Sequence, residues 1–289
     1  FVGKPAALLF STGYLANLAV PGALLDRHGE IFADRLNHAS LVDGARLAGA
    51  AVTRYRHGDL AQLEDRLARS TARTRMIASD LVFSMDGDCA PVDALLDLAE
   101  RHDAWLYLDD AHGFGVLNDG RGGLTARARA SERVIYLATL GKAAGVSGAA
   151  VAAAPEVVDW LMQKARPYVY TTASPPVLVG CLLESLRLIE TDGARHARLQ
   201  ANIARLKSGL AGLRCGTPMV SDTPIQPLLV GDSGEALRLS ERLLERGLLV
   251  PAIRPPTVPE GTARLRITVS AAHTAADVDR LLEALHACG

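Results

Sequence analysis

The sequence predicts an α/β fold in which a larger lobe, built on a mostly parallel sheet, is followed by a smaller α+β lobe. Apolar runs of four to six residues alternate with longer stretches whose apolar residues recur every three or four positions, the pattern of buried strands joined by crossover helices. After residue 213 the order changes to strand, helix, strand, strand, helix. The composition allows a large core, with 289 residues of which 49% are hydrophobic and 22% charged, enough for more than one compact unit. The division is expected between residues 175 and 176, giving a large domain 1–175 and a small C-terminal domain 176–289.

Taken in order, Ala7–Phe10, Met76–Ser79, Trp105–Leu108, Val134–Ala138 and Gly148–Ala153 read as buried strands, with helices over Leu60–Arg69 and Val92–His102 between them. Helical patterns follow at Pro176–Glu190 and Ala194–Leu213. Then come Pro227–Val230, Gly234–Arg246, Leu248–Ile253, Ala263–Val269 and Thr274–His286. The last of these opens on Thr274-Ala-Ala-Asp277, a capping arrangement with Asp in place of the usual Glu. The chain shows neither internal repeats nor a low-complexity linker.

Charge and cysteine usage narrow the function classes. Thirty-one basic residues against 32 acidic ones leave a net charge of −1, which argues against a nucleic-acid surface or a polybasic membrane patch. The small-apolar run from Gly145 to Ala154 is interrupted by glycine and too short to span a bilayer. Cys89, Cys181, Cys215 and Cys288 lie far apart, without the paired spacing of zinc or redox motifs, and read as reduced thiols of a cytoplasmic protein. The sequence starts at Phe1 without an initiator Met and runs almost at once into an apolar segment, which reads as a shortened N-terminus.

In open α/β sheets chemistry collects at the carboxyl ends of strands. The strand Trp105–Leu108 runs straight into Asp109-Asp110-Ala111-His112-Gly113, so an acid and an imidazole emerge together. A carboxylate on an apolar strand suits a partner that is positively charged when bound; the plainer reading is an Asp capping a turn. A metal reading of Asp109, Asp110 and His112 lacks a second cluster to complete the site. The next strand, Val134–Ala138, ends in Thr139-Leu140-Gly141-Lys142. Desolvation turns a lysine into a nucleophile and base near neutrality, and lysine amines form Schiff bases with carbonyls. Alone it reads as a surface lysine on a glycine-rich turn. The pair carries more weight, because pyridoxal phosphate enzymes combine a Schiff-base Lys with an Asp that bonds the protonated ring nitrogen.

A phosphate needs a cradle, and Ser11–Asn17 supplies a candidate. It follows an apolar run and opens a helical pattern, so the backbone N–H groups of Gly13 and Tyr14 stand where a helix N-terminus binds anions; an ordinary N-cap at Ser11 or Thr12 is the competing reading. Thr139 offers a hydroxyl to the same group. His38 stacks on a planar ring or is a surface histidine, and Ser84 bonds a ring hydroxyl or caps a turn. Arg254, between Ile253 and two prolines, clamps a carboxylate or is a plain surface residue. A hydrolase triad of Ser84, His112 and Asp109 lacks the Gly-x-Ser-x-Gly elbow.

Together these residues resemble the α-oxoamine synthases, fold-type-I pyridoxal phosphate enzymes. The motifs are STGYLAN at Ser11–Asn17, DRLNHASLVDG at Asp34–Gly44, VFSMDGD at Val82–Asp88, LDDAHGFGV at Leu108–Val116, TLGKAAGVSGAAV at Thr139–Val151 and AIRPPTVPEGTARLRITVSAAH at Ala252–His273, in family order over essentially the whole chain. The resemblance implies pyridoxal 5'-phosphate as cofactor, with Lys142 as the Schiff-base lysine, Asp109 at the ring nitrogen, His38 stacked on the ring, and His112 and Ser84 near its 3-hydroxyl. It places Gly13, Tyr14 and Thr139 at the cofactor, Thr139 at its phosphate, and Arg254 and Thr257 at the substrate. Thr172 is expected at the phosphate of a partner subunit in a homodimer.

The same resemblance implies decarboxylative condensation of L-alanine with a pimeloyl thioester, carried by coenzyme A or an acyl carrier protein, as a step of biotin biosynthesis. A glycine-accepting acyltransferase of the family and a catalytically silent cofactor-binding chain are the alternatives. Two departures stand out. Asp80-Leu81 occupies a position where the family commonly has Glu-Gly, and the family's N-terminal segment, which contributes an arginine for the acyl substrate, is absent from this sequence.

Overall fold

The computed structural model describes residues 1–288. The chain forms two compact units, Phe1–Phe83 with Ala90–Thr191 and Ser84–Cys89 with Asp192–Gly289. The first contains β1 (Ala6–Phe10), α1 (Gly13–Leu24), β2 (Gly29–Asp34), α2 (Ala39–Leu47), β3 (Ala51–Tyr55), α3 (Leu60–Arg69), β4 (Thr74–Asp80), α4 (Val92–Arg101), β5 (Ala104–Asp109), α5 (Ala126–Ala130), β6 (Val134–Thr139), β7 (Ala149–Ala153), α6 (Pro155–Lys164), α7 (Arg166–Val169) and α8 (Pro176–Thr191). Its seven strands are ordered β1-β7-β6-β5-β4-β2-β3. From β3 to β6 every pair is parallel, and β7 runs antiparallel to both β6 and β1.

Burial on both faces explains the continuous apolar runs of the central strands. Met76 and Ile77 of β4, Leu106 and Leu108 of β5, and Ile135 and Leu137 of β6 are all fully buried, as expected of parallel strands covered on each side. Ala7–Phe10 was expected to be buried throughout. Instead β1 is an edge strand that pairs only with β7, and Leu9 faces outward. Strands β2 and β3 escape the sequence reading because Glu30, Thr53 and Arg54 break their apolar runs, although Ile31, Phe32 and Ala33 are buried.

The parallel block sends the ends of β2, β4, β5 and β6 to one edge of the sheet, and those strands finish in Asp34, Asp80, Asp109 and Thr139. Register sets Asp80 directly opposite Asp109. Helices α1 and α2 lie against each other at unusually short range, since a Cβ on Gly44 would come within 2.0 Å of the Asn17 carbonyl oxygen. Only glycine permits that approach, and it brings α1 and the start of α2 together.

Helix α8 packs with the first unit, where Ser185 donates from Oγ to the Ala144 carbonyl at 2.7 Å and Arg121 pairs with Glu190. The compact unit therefore ends after Thr191, and not at the boundary of 175 expected from the pattern.

The second unit contains α9 (Gly193–Gly209), β8 (Thr217–Pro218), β9 (Ile225–Gly231), α10 (Ser233–Glu245), β10 (Ala252–Ile253), β11 (Ala263–Thr268) and α11 (Ala275–His286). Its antiparallel strands are ordered β10-β11-β9-β8. The strand expected over Leu248–Ile253 shrinks to its last two residues. Leu248 instead returns its N–H to the Leu243 carbonyl at 2.9 Å, closing the end of α10 over Gly247, whose φ is +74°, the usual glycine stop signal. The capping box at Thr274 and Asp277 is present in both directions. Segment Ser84–Cys89 is tied to β11 by Arg264 with Asp86 at 2.6 Å and by Arg266 with the Ser84 carbonyl at 2.5 Å.

Candidate active site

The first unit gathers most of the candidate residues at the sheet edge just described. Strand β5 is apolar until its last residue and so carries Asp109 in from the core, leaving it 4% exposed. Oδ2 accepts from Asn17 Nδ2 at 2.7 Å and Oδ1 from the Ala111 N–H at 3.0 Å. Burial pushes the Asp109 carboxyl above the ordinary carboxylate range, while the Asn17 amide and the Lys142 ammonium act against that rise. Asp80, opposite on β4, is also raised, by burial and then by repulsion from Asp109. Two buried carboxyls side by side make a region that favours an added positive charge.

His38 lies in the turn between β2 and α2, where Asp80 Oδ2 accepts its backbone N–H at 2.5 Å. Its Nδ1 meets Ser40 Oγ at 2.7 Å, and Ser40 Oγ also accepts from Asn17 Nδ2 at 2.8 Å. Asn17 Oδ1 accepts from the Tyr107 hydroxyl at 2.6 Å. Asp109 and His38 are thus joined through Asn17 and Ser40.

Lys142 sits on the loop after β6, which is closed by Val146 N–H to the Leu140 carbonyl at 2.8 Å and Gly145 N–H to the Lys142 carbonyl at 3.0 Å. Its Nζ is 3.0 Å from His112 Nε2. The desolvation expected for this lysine is not supplied by its neighbours in sequence, because Lys142 is exposed and flanked by glycines and alanines too small to cover it. Gly13 and Thr139 do come together: a Cβ at Gly13 would lie 2.6 Å from Thr139 Cγ2. Thr12 caps α1 through Oγ1 to the Leu15 N–H at 3.1 Å, and the first backbone bond of the helix runs from Ala16. Gly13 and Tyr14 N–H precede both, at the positive end of the helix.

Comparison with known proteins fits this arrangement. The aminotransferase class I and II family matches residues 1–285. The 8-amino-7-oxononanoate synthase of Thiobacillus denitrificans is 72% identical over 286 residues, covering 99% of this chain and 74% of that protein. The chain belongs to the 8-amino-7-oxononanoate synthase family. Among solved structures, the Francisella tularensis synthase is similar with a TM-score of 0.85 at 33% identity, over 99% of this chain and 83% of that one. A serine palmitoyltransferase from S. paucimobilis, with a bound PLP–myriocin aldimine, gives a TM-score of 0.92 at 30% identity over 100% of this chain and 73% of that chain.

The 8-amino-7-oxononanoate synthases are pyridoxal phosphate-dependent acyltransferases of fold type I, and the residues present fit that cofactor. The seat where Gly13 meets Thr139 has no room for a Cβ, two raised carboxyls lie side by side where a positive charge would offset their burial, and an amine stands on the next strand's loop. The exposed Tyr14 side chain donates from its hydroxyl to Asp43 Oδ2 at 2.7 Å. Thr172 is exposed between α7 and α8. Ser84, Arg254 and Thr257 belong to the second unit, where Arg254 is exposed after β10 and the Thr257 N–H returns to the Arg254 carbonyl at 3.0 Å.

Asn17, Ser40 and Asp80 were not singled out as site residues by sequence reasoning, although each lies within or beside a motif of this synthase family. Asn17 had a signal: four residues after Gly13, it lies one helical turn inside α1 on the same face. Asp110 was named only within the metal and loop readings. It is fully buried, and its Oδ2 accepts from the Tyr136 hydroxyl and the Gly123 N–H, both at 2.7 Å.

Proposed function

We propose that this chain catalyses decarboxylative condensation of L-alanine with a pimeloyl thioester to give 8-amino-7-oxononanoate. The convergence of Asp109, His38, Lys142 with His112, and the Gly13–Thr139 seat at one sheet edge carries the reading, supported by the 72% identical relative. In the net reaction the thioester C–S bond breaks, a C–C bond forms at the alanine Cα, the carboxylate leaves as CO2, the thiol is released and one proton is taken up.

Pyridoxal phosphate supplies the electron sink for this chemistry, drawing off the electron pair released at Cα. Asp109 holds the proton at the ring nitrogen, where its raised carboxyl gains a cation that offsets its burial. Lys142 would hold the cofactor through its amine, and the free amine would take the Cα proton at Nζ as a general base. His112, 3.0 Å from that nitrogen, steers it. The Gly13 and Tyr14 N–H groups and Thr139 Oγ1 would take the phosphate. His38 would lie against the ring and donate a hydrogen bond to the new carbonyl. From the second unit, Ser84 is assigned to the cofactor, Thr257 to the substrate, and Arg254 to the substrate carboxylate, for which a guanidinium gives a bidentate match.

The chain is assigned to a homodimer, with Thr172 reaching the partner subunit's phosphate. Support comes from α8, which has no buried residue and exposes Val177 and Leu183. No helix among the described residues is long and apolar enough to cross a membrane. The thiols of Cys181, Cys215 and Cys288 are not joined to another cysteine, in keeping with a cytoplasmic setting.

Borohydride reduction followed by peptide mass mapping tests the assignment. Wild-type protein carries a pyridoxyl group on the Lys142 peptide and forms product from L-alanine with pimeloyl-CoA or a pimeloyl carrier protein, in preference to glycine. Lys142→Ala carries none and loses at least about 10³-fold in turnover. A pyridoxyl group on another lysine, or equal turnover in the variant, overturns it.

A further inference from the structure

We propose that Asn17 and Ser40 are positioning residues which hold Asp109 and His38 in one hydrogen-bonded line and fix the His38 ring with its proton on Nε2. Donors and acceptors along that line admit a single assignment. An ionised Asp109 only accepts, so Asn17 turns its NH2 toward Oδ2 at 2.7 Å and its carbonyl oxygen toward the Tyr107 hydroxyl at 2.6 Å. The second amide proton goes to Ser40 Oγ at 2.8 Å. The Ser40 backbone N–H donates to His38 Nδ1 at 3.2 Å, so Nδ1 is an acceptor and the Ser40 hydroxyl, 2.7 Å from it, turns its proton to the same atom. Two donors converge on Nδ1, which therefore accepts, and the neutral ring keeps its proton on Nε2.

Asn17 and Ser40 are each 1% exposed, and Tyr107 is fully buried. The Asn17 bonds to Asp109, Tyr107 and Ser40 are thereby shielded from water, while the His38 ring at the end of the line is exposed, and the geometry is set before any ligand arrives. The Gly44 contact with the Asn17 carbonyl adds a reason for that glycine, since it holds the start of α2 close enough to α1 for Ser40 to meet Asn17. The consequence for catalysis rests on the reading that His38 donates to the new carbonyl. A ring locked as the Nε2–H form presents a donor at its outer nitrogen without a prior tautomer change, and so stabilises negative charge as it develops on the thioester oxygen.

The test has one arm free of cofactor and one with it. Nitrogen-15 NMR of the apoprotein at neutral pH is expected to show His38 as the Nε2–H tautomer, with an added Nδ1–H population in Ser40→Ala. In the loaded enzyme, Ser40→Ala lowers kcat about tenfold while KM for L-alanine and pyridoxal phosphate affinity stay within about twofold, and Ser40→Thr restores most of the rate. Asn17→Ala releases Asp109 as well, so cofactor affinity falls about tenfold together with kcat. A wild-type ring protonated on Nδ1, or a Ser40→Ala enzyme with unchanged kcat, overturns the proposal. Loss of the condensation reading would show instead as wild-type protein that makes no product, and the tautomer arm would still decide the geometry.

Discussion

Asp109 and Lys142 follow neighbouring parallel strands, β5 and β6, yet the chain surrounds them in opposite ways. Around Asp109 the partners are buried and already bonded: Asn17, itself held by the Tyr107 hydroxyl, and the Ala111 N–H. Around Lys142 the backbone closes a tight loop of small residues and leaves the side chain exposed beside His112. In the proposed reading the acid holds a fixed orientation, which a buried network supports. In that reading the lysine serves as a mobile base, which a packed setting would hinder. Preorganisation is thus confined to the half of the site that does not move.

The sharpest way to break this contrast is through Asp110, the acid-side neighbour that no incoming cation serves. Burial pushes its carboxyl up to about 7, against the bonds from Tyr136 and Gly123 that act to lower it. Because the folded value is raised, the stability it contributes is complete below the ordinary carboxylate range near 4 and is lost as pH rises through about 7. Unfolding free energy is expected to fall by about 2 kcal/mol between about pH 5 and about pH 8 on this account, and Asp110→Asn to remove that slope. Denaturant titrations at the two pH values measure it; a slope that survives in the variant would place the pH dependence elsewhere.

A smaller effect is expected at the seam where the two halves meet. Gly13→Ala sets a Cβ 2.6 Å from Thr139 Cγ2, so the first turn of α1 must draw back from the end of β6. Pyridoxal phosphate affinity should fall about tenfold, or about 1.4 kcal/mol, and Thr139→Ser in the same chain, which removes the opposing methyl, should recover most of it. Equilibrium titration of the apoprotein reads both; additive losses in the double variant would contradict steric conflict as the cause. The smallest effect belongs to Tyr14→Phe. Its exposed bond to Asp43 is dispensable, and both stability, within about 0.5 kcal/mol, and cofactor affinity, within about twofold, should hold. A large loss in affinity would return the Tyr14 side chain to the cofactor.

Much of the fold was legible because buried parallel strands and amphipathic helices write their periods directly into the chain; Leu60–Arg69 has the same bounds in the pattern and in α3. Strands β2 and β3 were not, since half-exposed strands carry Glu30, Thr53 and Arg54 among their apolar residues. Candidate site residues were visible where a charge interrupts an apolar run, as Asp109 and Lys142 do. Asn17 and Ser40 interrupt nothing, for a small polar residue near a helix start looks like part of a cap, and their importance rests on partners 92 and 23 residues away.

The sequence by itself determined the strand–helix alternation, the family, and which acid and which lysine close successive strands, because those follow from local pattern and motif order. Tertiary structure alone decided that Asp109 is sunk in a bonded network while Lys142 stands open, that Tyr14 turns its hydroxyl to Asp43, and that Ser84 belongs to the second unit. Burial and hydrogen-bond direction depend on atoms brought together from distant parts of the chain, and no local pattern encodes them.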